Sequence, residues 1–400
     1  MPGMNVPFFR IDATGNELDY VREVLESGWL TSGGKVQEFE RRFADAVGAP
    51  HAIAVNSCTA ALHLGCEAAG IGPGSEVIVP SVTFTATAEI VEYLGGKVRL
   101  VDVDPETAML TPAILADALD RFPSTSAVLP VHFGGRACLM RTTGGDGILD
   151  LCESRGVAVI EDAAHAFPAT YDEQHAVGSP IGSTACCFSF YANKTMTTGE
   201  GGMVTTDDDA AAERMRRMRL HGIDRNAWDR HHRVGAGWEY DVVAAGFKYN
   251  LTDLAAAIGL AQLERNHEFH EARKDLVSRY RERLSGLEGL RLPPALPHPD
   301  RDAWHLFVVH TDSETGVDRN TFIEGLAERG IGTSVHYRPL HRMSHWMRTA
   351  ILDPHGYPGA DAWFEGCVSL PLFPAMTNEE FDAVTTAITA TLSECRTSTV

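Results

Sequence analysis

Between residues 51 and 210 short apolar runs alternate with stretches of helical periodicity. The runs stand at 51–55 (HAIAV), 76–80 (EVIVP), 97–101 (KVRLV), 126–131 (SAVLPV), 157–161 (VAVIE), 184–190 (TACCFSF) and 202–206 (GMVTT). They have strand length and are rich in β-branched residues, so they predict strands. Helical patterns fill most of the gaps, at 59–70, 84–94, 112–121 and 146–155. Strands that alternate with helices predict an α/β domain, with a mostly parallel seven-stranded sheet flanked by helices on both faces. In such sheets ligands gather at the carboxyl ends of the strands.

The pattern breaks at 224–248, a polar and aromatic stretch without periodicity, which marks a functional or flexible loop. A long helix is expected over 252–284. Beyond it, a small α+β unit is expected, with strands at 304–310 and 332–337 and a helix near 320–329. A last helix starts at Thr377, where Thr377 and Glu380 have the spacing of a capping box. This divides the chain into a large domain (1–250, with the N-terminal segment) and a small C-terminal domain (251–400) joined by the long helix.

Composition narrows the function. The chain has 400 residues, 44% hydrophobic and 22% charged, with a net charge of −20. So acidic a chain is a poor partner for nucleic acid or an anionic membrane. No run of about 18 apolar residues predicts a membrane span. Residues 1–10 lack the pattern of a secretory leader. The eight cysteines show no CxxC pair and no zinc spacing, and Cys186-Cys187 lie in an apolar run as core. Reduced thiols and a cytoplasmic location fit this usage.

The strand ends carry the candidate chemistry. After 51–55 comes Asn56-Ser57-Cys58-Thr59-Ala60 and then a helix, whose first N–H groups can bind an anion. Taken alone this is an ordinary N-cap. After 157–161 comes Asp162; a carboxylate there needs a partner, which a helix cap, a metal or a cation can supply. After 184–190 comes Lys194, followed by the glycine-rich Thr198-Gly199-Glu200-Gly201-Gly202. A single loop lysine is ordinarily a solvated charge. In a desolvated pocket its pKa falls and it becomes a nucleophilic amine. Asp162, Lys194, Ser189 and Thr59 on neighbouring strand ends supply the contacts that pyridoxal phosphate requires.

Several segments together resemble the DegT/DnrJ/EryC1/StrS sugar aminotransferases. They are SGWLTSGGKVQEFE (27–40), VNSCTAALHL (55–64), PSVTFTATAEIV (80–91), VIEDAAHA (159–166), FSFYANKTMTTGEGG (188–202), LHGIDRNAW (220–228), GFKYNLTDLAAAIGLAQLE (246–264) and GIGTSVHYRPLH (330–341). The resemblance implies the fold type I of pyridoxal-phosphate-dependent transferases, with pyridoxal 5'-phosphate as cofactor and pyridoxamine 5'-phosphate as its aminated form. Lys194 matches the lysine that binds the cofactor covalently and shuttles protons, and Asp162 the partner of the ring nitrogen. His165 matches a position near the ring's phenolic oxygen, and Phe84 an aromatic on the ring face. Cys58, Thr59, Ala60 and Ser189 match the phosphate cradle. Asn250 matches a residue that reaches the phosphate of a neighbouring subunit, which implies a homodimer. The family usually has glycine where Cys58 stands; a positive φ there would strain a cysteine.

The implied reaction takes an amino group from an amino acid, L-glutamate by resemblance, to a nucleotide-linked keto-sugar at C4. A 3-keto sugar or a keto-cyclitol is the alternative acceptor. Arg225, Arg230, Arg233 and Lys248 are candidates for a pyrophosphate, and Thr31, His336, Tyr337 and Arg338 for other substrate contacts. A dehydratase of the same family would carry His in place of Lys194. A dinucleotide-binding oxidoreductase would need a G-x-G-x-x-G after the first strand, and none is there.

Overall fold

The computed structural model describes residues 4–224, 240–295, 298 and 301–397. Seven strands form the main sheet: β1 (His51–Val55), β2 (Glu76–Pro80), β3 (Lys97–Val101), β4 (Thr125–Val128), β5 (Ala158–Asp162), β6 (Ala185–Ser189) and β7 (Gly202–Thr206). Their order is β1-β7-β6-β5-β4-β2-β3. The pairs from β3 through β6 are parallel, and β7 runs antiparallel to both β1 and β6. The seven sequence-predicted strands and the mostly parallel arrangement are therefore present. Nearly every strand residue is buried, as expected for a sheet covered on both faces.

The reversed strand positions the site. Because β7 is antiparallel, Gly202 pairs with both Val55 and Ser189, at the carboxyl ends of β1 and β6. The chain between β6 and β7 (190–201) must therefore arch over the carboxyl edge of the sheet, and Lys194 rides on that arch. Gly202 is required for the closeness: a Cβ there would lie 2.6 Å from the carbonyl carbon of Ser57.

A second sheet of three antiparallel strands, β8 (Leu290–Arg291), β9 (Phe307–Thr311) and β10 (Cys367–Leu370), follows in the order β10-β9-β8. Its own apolar core takes in Val6, Phe307, Phe322, Val368, Phe373 and Ile388. The last helix, Asn378–Thr397, opens with the expected capping box: the Thr377 N–H donates to Glu380 Oε2 (2.9 Å), and the Glu380 N–H to Thr377 Oγ1 (3.2 Å).

Two expectations are corrected. Residues 332–337 are not a strand: after a bridge at Ile331 the segment makes one further bridge, between Ser334 and Ser369. β10, not read from the sequence, pairs with β9, and 332–337 meets β10 only through that single bridge, too little for a ladder. The helix over 252–284 is two helices, Asp253–Glu264 and Asn266–Leu284, broken at Arg265 (φ −101, ψ 6). The first is apolar and packs on helices Glu17–Ser27 and Gly34–Val47, neither of which was expected from periodicity. The second is charged. Arg265 turns aside at the junction and binds Asp12 at 2.9 Å. Among the described residues no helix is long and apolar enough to cross a membrane.

Candidate active site

One cavity of about 490 Å³ opens at the carboxyl edge of the main sheet. Its walls bring together Ser57, Cys58 and Thr59 after β1, Thr83, Phe84 and Thr87 after β2, Asp162 and His165 after β5, and Ser189 and Lys194 after β6. His336 and Tyr337 reach it from the second half of the chain. The volume is that of a small-molecule site.

The helix Cys58–Ala68 starts at the cavity wall. Ser57 is its N-cap, and its Oγ accepts the Ala60 N–H at 3.1 Å. The Ala61 N–H goes to Ser57 O at 3.1 Å. The N–H groups of Cys58 and Thr59, first in the helix, have no intrahelical acceptor and stand where an anion would meet them. Ala60 does not line the cavity; it is buried and its N–H is held by the cap. Cys58 is not among the residues with positive φ, so the departure from glycine carries no strain there.

Asp162 is buried (5% exposed) at the end of β5. Thr87 Oγ1 donates to its Oδ2 (2.7 Å) and the Ala164 N–H to its Oδ1 (3.1 Å). Burial pushes its carboxyl up, while Thr87 and Ala164 pull the other way. Thr83 Oγ1 lies 2.7 Å from Thr87 Oγ1. With the Thr87 proton on the nearer and charged Asp162 rather than on Phe84 O (3.1 Å), Thr83 is left to donate to Thr87, a directed hydroxyl chain ending on the carboxylate.

Lys194 is half-buried on the 190–201 arch, and burial pushes its ammonium down to about 8, against Cys58 and Asp162. The arch is pinned by Thr195 Oγ1 on Phe167 O (2.5 Å) and Thr197 Oγ1 on Phe190 O (3.0 Å). His165 Nδ1 accepts the Gly134 N–H (3.2 Å). That nitrogen therefore bears no proton, and the neutral ring carries it on Nε2, 3.1 Å from the Tyr337 hydroxyl oxygen. Burial, then Lys194 and His336, hold His165 well below the usual histidine range. Burial pushes His336 down to about 3.

Of the remaining sequence candidates only Phe84 is in the cavity wall among the described residues. Phe84 lines the cavity and is 59% exposed. Asn250 is outside the cavity wall; its Nδ2 donates to Ser32 Oγ (2.8 Å) and its Oδ1 accepts from Lys248 Nζ. Thr31 is exposed, and its carbonyl accepts the Asp253 N–H (3.2 Å). Arg338 is exposed, away from the cavity wall, and donates to Arg342 O (2.8 Å). Arg225, Arg230 and Arg233 lie outside the described residues. Sequence reasoning passed over Thr83, Thr87, Asn193 and Glu200. The repeated hydroxyls of TFTAT at the end of β2 were the available signal.

The sequence profile of the DegT/DnrJ/EryC1/StrS aminotransferase family matches residues 12–389. The chain belongs to this family. As a family member it is 43% identical, over 374 residues and 93% of each chain, to the spore coat polysaccharide biosynthesis protein SpsC of Bacillus subtilis strain 168. Its structure matches Spr1654 of Streptococcus pneumoniae, PMP form, with a TM-score of 0.86 and 30% identity, covering 99% of this chain and 100% of that one. Spr1654 has also been solved in a PLP form. DesV of S. venezuelae aligns with a TM-score of 0.84 and 30% identity, over 97% of this chain and 98% of that one. The chain is thus a pyridoxal-phosphate-dependent aminotransferase. Its cavity fits the cofactor: an anion cradle at one helix start, a buried carboxylate that no lysine or arginine pairs among the described residues, and a lysine with a depressed pKa face the same space.

Proposed function

We propose that this chain moves an amino group from an amino acid, L-glutamate, to the keto carbon of a nucleotide-linked sugar, at C4. The observation that carries the reading is the convergence of Lys194 and Asp162, from the ends of the adjoining strands β6 and β5, on one cavity. Pyridoxal phosphate, when bound, supplies an electron sink that stabilises negative charge at the carbon losing its proton. In this reading Lys194 holds the cofactor and, with its amine neutral, takes and returns the proton at the reacting carbon. Asp162 keeps the ring nitrogen protonated. Ser57, Cys58, Thr59 and Ser189 hold the phosphate, and Phe84 covers a ring face. His165 and Tyr337 orient the side of the ring nearest them.

The acceptor class rests on likeness. Spr1654 is described as a sugar aminotransferase and SpsC as a polysaccharide biosynthesis protein. Lys248 and the arginines of 225–233 would offset the acidic chain at a pyrophosphate. The chain acts as a homodimer in this reading: Asn250, off its own cavity, serves the partner's phosphate site, and exposed Phe84 and Tyr191 at the rim become covered.

Two experiments test this. Glutamate is supplied with 4-keto and 3-keto nucleotide sugars and with a keto-cyclitol; amination of the 4-keto sugar is expected, and amination of either other acceptor alone contradicts the C4 assignment. Inactive Lys194→Ala and Asn250→Ala chains are then mixed. If Asn250 acts across the dimer, each hybrid holds one intact site and activity returns; no recovery contradicts the shared site.

A further inference from the structure

His305 is a buried histidine that the reaction as described does not use. It lies two residues before β9, and its ring centroid is 4.4 Å from that of His165. Both of its ring nitrogens are buried without a hydrogen-bond partner. It meets His165 by packing, the two ring planes tilted by 45°.

The backbone is built to place it there. Trp304, the preceding residue, has φ +49, a conformation that side chains of this bulk rarely adopt. It is held by its N–H on Asp302 Oδ1 (2.8 Å) and by its carbonyl, which accepts from Arg273 (3.2 Å). Strain of this kind persists only where its surroundings enforce it, and it gathers at functional sites. The same segment is sealed onto the loop that holds His165. The Ala303 N–H donates to Gly135 O (2.9 Å) and the Leu306 N–H to Gly134 O (3.0 Å). A Cβ on Gly135 would lie 2.9 Å from the backbone nitrogens of both Trp304 and His305. Gly134 in turn supplies the N–H bound by His165 Nδ1.

We propose that His305 is a positioning residue for His165. Its uncharged ring backs the His165 ring and confines it to the orientation in which Nδ1 accepts from Gly134 and Nε2–H faces Tyr337. A charge on His305 is disfavoured first by burial, then by His165, Lys194, Arg273 and His336 around it. The proposal rests on the reading of His165 as a residue beside the cofactor ring.

The test uses protein labelled with ¹⁵N at histidine, without cofactor, in which ring shifts report the tautomer and charge of His165. In the native chain His165 is expected neutral, with its proton on Nε2. In His305→Ala it should show mixed tautomers. The turnover number should fall by about tenfold or more, with a smaller change in donor KM, as for a misplaced group. His305→Phe, which keeps a flat aromatic ring of somewhat larger size without the two unpartnered nitrogens, should restore the native His165 signal. If His305→Ala does not fold, His305→Leu takes its place. An unchanged His165 signal without the ring, or a Phe variant as disturbed as the Ala variant, overturns the proposal. His165→Asn is the control for the underlying reading, which a cofactor spectrum unaltered by that variant would overturn instead.

Discussion

The hydroxyl of Thr87 donates to Oδ2 of Asp162 across 2.7 Å, in a fully buried setting. It is one of two hydrogen bonds that keep this carboxylate ionised against burial, which pushes its pKa up. Thr87→Val should let Asp162 take up a proton at higher pH and lose its hold on the ring nitrogen. Cofactor affinity should drop by about tenfold or more, because a hydrogen bond to a charged group contributes about 1.5–3 kcal/mol. The acid limb of the rate profile should move to higher pH, and Thr87→Ser should restore both. Cofactor titration with pH profiles of the three proteins checks this.

Lys194 gives a second prediction. Its ammonium sits at about 8 when folded, against an ordinary 10.5. Between those values the folded protein is neutral here and the unfolded chain is charged, so the unfolded state binds more protons. The stability of the cofactor-free protein therefore gains from this group as pH rises through that window. Capture of added pyridoxal phosphate by the free amine should accelerate up to pH about 8 and then level off. Stopped-flow absorbance reads the rate, and a rate still climbing steeply near pH 10 would show an ordinary lysine.

At acid pH the sign is set by the histidines. His336 titrates at about 3 when folded, against 6.5 ordinarily. His165 and His305 are displaced in the same direction, chiefly by burial. Below 6.5 the unfolded chain binds protons that these rings refuse, so stability should fall with pH from there toward 3. Denaturant unfolding of native and His336→Phe protein checks this, with a shallower acid loss expected in the variant.

Two small residues at the phosphate cradle should behave oppositely. Gly202→Ala puts a Cβ 2.6 Å from the Ser57 carbonyl, so β7 or the cradle must move and cofactor binding should weaken strongly. Cys58→Gly changes a helix-start residue without positive φ. It should cost about 1 kcal/mol of stability at most and leave affinity nearly unchanged. Thermal melts and cofactor titration separate the two.

What the sequence made legible followed its periodicity. The seven buried strands stand as apolar runs, and Asp162, Ser189 and Lys194 could be placed on strand ends because each lies at or within a few residues of the end of such a run. The reversal of β7 had no local signature, yet it is what arches Lys194 over the sheet. Thr87 and His305 escaped notice, and Tyr337 was read only as a substrate contact, because their roles come from contacts between distant segments: Thr87 meets Asp162 75 residues away, and Tyr337 meets His165 172 residues away. The 332–337 run looked like a strand by composition, but it meets β10 only at Ser334 and Ser369.

The claim on which the rest depends is that Lys194 holds the cofactor. The cofactor-loaded protein is reduced with borohydride, digested, and its peptides are weighed. One phosphopyridoxyl group on the peptide containing Lys194, absent in Lys194→Ala, is the predicted result. A group on another lysine, or none at all, would contradict the account.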